Sequence, residues 1–397
     1  MLSHIVGNRR LILLHLTAVL VVLIAGTSLY VANPGALFRL PVRDASSVIK
    51  GTYIGTIGEG NHATANMLAL GSALASGKTL VILGSSELAK DPFSRNIPYN
   101  FFPQVLHIPV FAYGHAYFQS FGIYGLLAAN RNALSPQTKL VLLISPGWFN
   151  AKEMPLSAFV EHFKPQVMLP LYFDPDARHV ISQYINSHFA QFKHPSLLMK
   201  AFIGNSGHLM EVVDSEEVLC SLFAKTLRRL FESLSSVHQP NLQSSSSLTS
   251  SEWKRLEEKG AQTEIAMMQH NPFWVRDDLY QTRWKNLPPG GRNYFGVHMD
   301  PDPELAMLER ALCLLQSRKV HALVMMQTLN PLVFKDTFKL DIISHKVAAL
   351  SQATGMSYYD VREDEQYKPG MLQDGQHVGE LGWVKINRQI AEYWYRR

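Results

Sequence analysis

Cysteine is nearly absent from this chain. Only Cys220 and Cys313 occur in 397 residues, which excludes a cysteine-built zinc cluster and a disulfide framework. One bridge is the most they allow, and sequence separation does not say whether they meet. Cys313 falls in an apolar helical pattern and is expected as a buried free thiol. Charge is sparse too, at 17% of residues against 47% hydrophobic, so the chain can bury a sizeable core. No Lys/Arg run exceeds two residues and the formal net charge is +5. That balance favours anionic partners such as membrane headgroups or polyphosphate polymers, and is too weak and scattered for nucleic acid. Internal repeats are absent as well. The chain length fits one large domain with insertions, or two domains.

What is present begins with Leu11–Val31, 21 residues without a charge. That length spans a bilayer as a helix. A cleaved signal peptide would have a shorter apolar region ending in a small-x-small site, and Leu29-Tyr30-Val31-Ala32 lacks that pattern. An uncleaved single-pass anchor is therefore expected at 11–31. Arg9 and Arg10 argue for a cytoplasmic segment at 1–10, although Arg39 and Arg43 lie close on the other side. With the N-terminus inside, the rest of the chain is extracytoplasmic. Residues 32–61 read as a linker, and 62–397 as the domain that follows.

Within that domain, short apolar runs alternate with helical patterns. Leu80–Leu83, Ile108–Ala112, Leu140–Ile144, Ala322–Gln327 and Ser357–Asp360 are strand candidates. Helices are expected over Ala63–Ala75, Tyr117–Asn130, Pro303–Gln316, Leu340–Gln352 and Trp383–Tyr395. This alternation predicts an α/β fold with a mostly parallel central sheet covered on both faces. A mainly helical block at about 151–300 reads as an insertion into it. The block includes a helix over Val218–Leu234, a serine-rich loop and an amphipathic helix over Trp253–Met268.

Two stretches carry chemistry. Leu80–Leu83 runs into Gly84, Ser85, Ser86 and Glu87, and α/β sheets place ligands just past the carboxyl ends of such strands. A serine there is either a nucleophile or the N-cap of the next helix. Far downstream, Asp374-Gly375-Gln376-His377 puts a carboxylate and an imidazole three residues apart. A serine hydroxyl needs a base to take its proton, and the base needs a carboxylate to fix its tautomer. Taken alone, Asp-x-x-His is equally a polar loop that caps a helix.

The order of these elements resembles the SGNH (GDSL-like) hydrolase superfamily. Within it, the chain is similar to the DltD family, membrane-anchored proteins of D-alanylation operons. The likeness rests on Gly84-Ser85-Ser86-Glu87-Leu88, Gln119-Ser120 after Gly114, and Ser145-Pro146-Gly147-Trp148-Phe149. It continues through Asn271-Pro272-Phe273, Leu329-Asn330-Pro331 and Asp374-Gly375-Gln376-His377 with Gly382-Trp383. Two departures stand out: Gly147 where the family usually has Gln, and His115-Ala116-Tyr117 where a glycine-rich run is common. The resemblance implies a three-layer SGNH-like domain with Ser86 as nucleophile, His377 as base and Asp374 as its partner. Oxyanion donors would be the backbone N–H groups of Ser86, Gly114 and the Gly147 turn. Trp148 would line the pocket, and Glu87 is a further candidate for substrate contact, although a helix-dipole role is its default. No cofactor or metal is called for. The implied activity is a serine esterase or O-acyltransferase that moves D-alanine to an anionic envelope polymer, teichoic-acid-like (lipoteichoic acid) or lipopolysaccharide. Implied partners are a DltB-like membrane O-acyltransferase, a small membrane peptide and a D-alanyl donor. An O-acetyl esterase or acetyltransferase of envelope glycans, and a non-catalytic adaptor, are the alternatives.

Overall fold

The run Leu80–Leu83 is apolar at every position because both of its faces are covered. All four side chains have no solvent exposure. Burying each contributes about 1.5–3 kcal/mol, enough to outweigh about 1–2 kcal/mol of backbone ordering per residue. In the computed structural model this run is strand β2 (Leu80–Leu83) of a six-stranded sheet. The structure describes residues 51–57, 62–149, 154–189, 247–288, 290–295, 302–362 and 367–396, all within one compact unit, Ile49–Arg397. The anchor expected at Leu11–Val31, Cys220 and the helix expected over Val218–Leu234 lie outside these residues. Among the described residues no helix is long and apolar enough to cross a membrane.

The other strands are β1 (Thr52–Ile54), β3 (Val110–Tyr113), β4 (Lys139–Ile144), β5 (Leu323–Met326) and β6 (Ser357–Asp360). All pairings are parallel, in the order β1-β3-β2-β4-β5-β6. Beside β2 the winding reverses, since β3 lies on one flank and β4 on the other. That is a topological switch point, the place where open parallel sheets bind ligands.

Side chains alternate between two cores with the strand period of two. Val81, Leu83, Leu142 and Val324 join one apolar cluster, while Leu80, Ile82, Val141 and Met325 join the other. The first face is covered by α1 (Ala63–Ser76), α2 (Ser120–Ala129), α3 (Leu156–His162), α4 (Pro165–Phe173), α5 (Pro175–Phe189), α7 (Asp302–Ser317) and α8 (Lys339–Ala353). The second is covered by α6 (Ser250–Ile265), α9 (Glu380–Tyr395) and the aromatic pair Phe101 and Phe102. The described part of the expected insertion is therefore packed onto the sheet. Its helices α3, α4 and α5 lie on one face, and α6 lies along α9 on the other.

Two expectations are corrected. The stretch read as a linker supplies the edge strand β1, which pairs with β3 through Thr52, Tyr53 and Ile54. Three residues are too few for periodicity to register. Cys313 is exposed. The buried face of α7 is Leu305, Leu308, Ala311, Leu312 and Leu315, and one step past Leu312 turns a side chain about 100° away from it.

Candidate active site

Strand β2 ends at the switch point, and the chain turns there through Gly84-Ser85-Ser86 into a short helix, Glu87–Lys90. Ser86 is the N-cap residue of that helix but makes no side-chain cap hydrogen bond. Its Oγ instead lies 3.2 Å from Nε2 of His377. Ser85 points elsewhere, donating its hydroxyl to the His115 carbonyl at 3.1 Å. Neither serine therefore caps the helix with its hydroxyl, and only Ser86 meets an imidazole.

His377 Nδ1 lies 2.8 Å from Asp374 Oδ2. Burial pushes the Asp374 carboxyl up, but the His377 ring and the amides of Gln376 and His377 outweigh it and hold it below the ordinary value. An ionised carboxylate only accepts, so a neutral imidazole carries its proton on Nδ1 and leaves Nε2 to accept from Ser86. Asp374 Oδ1 also accepts the amides of Gln376 at 2.9 Å and His377 at 2.8 Å. One buried carboxylate thus orients both the ring and the loop that carries it.

That loop is tied from outside as well. Asn330 accepts no role at the reacting atoms but clamps the loop, donating its amide to the Gly375 carbonyl at 2.9 Å and its Nδ2 to Phe273 at 2.9 Å. The Asn271-Pro272-Phe273 and Leu329-Asn330-Pro331 segments are, in this sense, supports for the loop that holds His377.

Ser86, Asp374 and His377 line one cavity of about 760 Å³. Trp148 is on its wall, 3% exposed, with an indole N–H that has no acceptor. Gly147 also lines it.

The expected oxyanion donors fare unevenly. The Ser86 amide donates to no protein group among the described residues. The Gly114 amide is engaged by the Ile54 carbonyl of β1 at 3.3 Å. Gly114 is needed for a different reason: a Cβ there would lie 2.7–2.9 Å from the backbone of Gly84 and Ser85, too close for any side chain. The Gly147 amide is engaged by Ser145 Oγ at 3.3 Å. Glu87 does not line the cavity. It is 3% exposed, and its Oε1 accepts the Ser85 amide at 2.6 Å. Burial raises its pKa above the ordinary value. Glu87 therefore braces the turn from beneath and makes no substrate contact from there.

A family model described as DltD protein matches residues 62–395. The chain belongs to the DltD family. Membership implies involvement in D-alanylation of envelope polymers. No curated protein matches the chain.

In this DltD-family chain the cavity wall also holds residues that sequence reading did not single out. Arg283 and Arg292 line it, and neither has a carboxylate partner among the described residues. The Arg292 guanidinium sits 4.6 Å from the Trp284 ring centroid and 5.7 Å from that of Phe334, which orients the charge by cation–π attraction. Tyr294 and Gln376 are hydrogen-bonded to each other at 2.5 Å on the same wall. Tyr117 is there too, at φ +64°, a left-handed conformation uncommon for a side chain of that size. The density of Arg, Trp and Tyr over residues 283–294 was the available signal. Among the described residues, no group of three or more His, Cys, Asp or Glu side chains is arranged to hold a metal ion.

Proposed function

We propose that this protein is a serine esterase or O-acyltransferase that acts in D-alanylation through an acyl-Ser86 intermediate. One observation carries the reading: Ser86 Oγ, His377 and Asp374 are joined by contacts of 3.2 and 2.8 Å on the wall of one cavity. In this mechanism Ser86 Oγ attacks the D-alanyl carbonyl carbon and His377 Nε2 takes the hydroxyl proton. Asp374 stabilises the imidazolium that forms. The Ser86 amide stabilises the developing oxyanion. As the tetrahedral species collapses, His377 returns the proton to the leaving group. An acceptor hydroxyl then enters by the same steps in reverse and frees Ser86. Water in its place gives hydrolysis.

Arg283 and Arg292, which have no carboxylate partner among the described residues, support an anionic acceptor, because such a cation beside an ester site attracts phosphate or carboxylate. The anchor at Leu11–Val31 would hold the domain at the extracytoplasmic membrane surface, beside a DltB-like O-acyltransferase and a small membrane peptide. The test is covalent trapping. Full-length protein in detergent is treated with a serine-directed phosphonate or a D-alanyl ester, and the adduct is located by mass spectrometry. An adduct on Ser86, absent in Ser86→Ala, is expected. Envelope D-alanylation that survives both Ser86→Ala and His377→Ala would overturn the enzyme reading in favour of an adaptor. Turnover of acetyl esters of glycans, with none of D-alanyl esters, would move the protein to O-acetyl chemistry.

A further inference from the structure

Attack by Ser86 builds negative charge on the acyl oxygen, and such charge needs fixed donors. The amides of Gly114 and Gly147 are both engaged by protein acceptors. Of the expected donors only the Ser86 amide remains.

Another donor stands beside residue 147. A Cβ on Gly147 would lie 3.0 Å from the Tyr294 hydroxyl and 3.9 Å from Gln376 Oε1. The space a side chain would take at 147 is thus faced by this pair. The Tyr294 hydroxyl donates to Gln376 Oε1 at 2.5 Å. At 2.5 Å the contact fits an O–H···O bond, about 2.5–3.0 Å, and is short for an N–H···O bond, about 2.7–3.2 Å, so it sets the amide oxygen toward Tyr294. It leaves Nε2, with two N–H groups, as the free end. Nε2 donates to no protein group among the described residues, yet it is not sealed from solvent. Gln376 lines the cavity that contains Ser86.

Both members of the pair are held. The Tyr294 amide donates to Asp336 Oδ1 at 2.7 Å, and its ring meets Phe334 and Phe295 edge-on at 4.7 and 5.1 Å. The amides of Gln376 and His377 share the same oxygen of Asp374. The residue that would stabilise the oxyanion and the residue that takes the proton therefore depend on one carboxylate.

We propose that Gln376 donates through Nε2 to the acyl oxygen of the bound ester, and that Tyr294 is the positioning residue that presents it. The proposal rests on the acyl-Ser86 reading. In the step, Ser86 Oγ bonds to the carbonyl carbon, the C=O pair moves onto oxygen and the proton goes to His377. Gln376 lends a hydrogen bond and transfers nothing.

The test uses full-length protein in detergent and the p-nitrophenyl ester of D-alanine, with Ser86→Ala as the blank. Gln376→Ala is expected to lower kcat about 100-fold, as loss of one oxyanion donor does, with KM changed less than about threefold. Gln376→Glu, which keeps the shape and lacks the N–H, should lose as much, and covers the case in which Gln376→Ala does not fold. Tyr294→Phe is expected to lower kcat about tenfold in the native background and to have no further effect in Gln376→Ala, a coupling that double-mutant cycles read directly. A folded Gln376→Ala or Gln376→Glu with kcat within about threefold of wild type overturns the proposal while Ser86-dependent turnover stands. An undiminished Tyr294→Phe effect in Gln376→Ala overturns the positioning role. Wild-type turnover no greater than that of Ser86→Ala removes the acyl-Ser86 reading itself, and this inference with it.

Discussion

At the scale of the residue, the site depends on a few contacts of which each partner can be removed singly. Ser86→Ala and His377→Ala are expected to lower ester turnover by about 10⁴-fold or more, and the double variant little further, because the two groups act as a unit. Asp374→Asn retains the volume but offers an N–H where Nδ1–H needs an acceptor, so it favours the wrong tautomer and should lose about 10⁴-fold. Steady-state kinetics on one ester substrate checks all three. Glu87 gives a prediction of opposite character. Burial raises its pKa, so ionisation costs stability as pH climbs above the unfolded carboxyl value. Glu87→Gln keeps an oxygen for the Ser85 amide and escapes that cost. It is expected to match or exceed wild-type stability at pH 8, with turnover within a few-fold. Glu87→Ala strands the buried Ser85 amide and should lose about 1–3 kcal/mol. Equal urea denaturation midpoints for these two variants would sink the bracing role.

At the scale of the element, α2 and α7 pack along each other, and Glu304 near the start of α7 accepts the Ser120 amide at the N-terminus of α2 at 2.9 Å. A carboxylate is favoured there by the helix dipole. Burial nevertheless dominates and pushes Glu304 up to about 7. The folded state then binds more protons than the unfolded state between pH 4.5 and 7, so stability falls as pH rises through that window. Glu304→Gln is expected to flatten this slope and to gain about 1–3 kcal/mol at pH 8, with little change at pH 4. Urea unfolding at the two pH values checks it; an identical slope in both proteins counts against it. The same scale explains what sequence could and could not disclose. β2 was legible because burial on both faces leaves an unbroken apolar run. Ser86, Asp374 and His377 were legible because each sits in a short local pattern. Thr52–Ile54 was not, because three residues carry no period. The Gly114 donor that the resemblance implies meets this same strand, because its amide donates to the Ile54 carbonyl. Tyr294, Arg283 and Arg292 are brought to the cavity by tertiary packing, so the local density of Arg, Trp and Tyr over 283–294 marks them by composition alone. Thr249-x-x-Glu252, by contrast, was a readable capping box that marks the start of α6 three residues before the expected one.

At the scale of the whole molecule, the question is where the folded body begins and what precedes it. The matched family region starts at residue 62, but the sheet starts at Thr52. Between them Ile54 and Ile57 are buried at 6% and 0% exposure, and the Ile57 amide donates to the Tyr113 hydroxyl at 3.2 Å. A chain of residues 49–397 retains all of this and is expected to unfold cooperatively at the full-length midpoint. A chain of residues 62–397 loses two buried isoleucines, worth together about 3–6 kcal/mol. It also uncovers the edge of β3 for pairing with other copies, so it should be less stable and prone to aggregate. Removing residues 1–48 also separates anchor from site. If Leu11–Val31 is the anchor, residues 49–397 stay in the aqueous phase on detergent partitioning and keep Ser86 labelling, yet fail to restore envelope D-alanylation in cells. Membrane retention of 49–397 would place the attachment in the folded body instead, because nothing of the 11–31 segment remains in it.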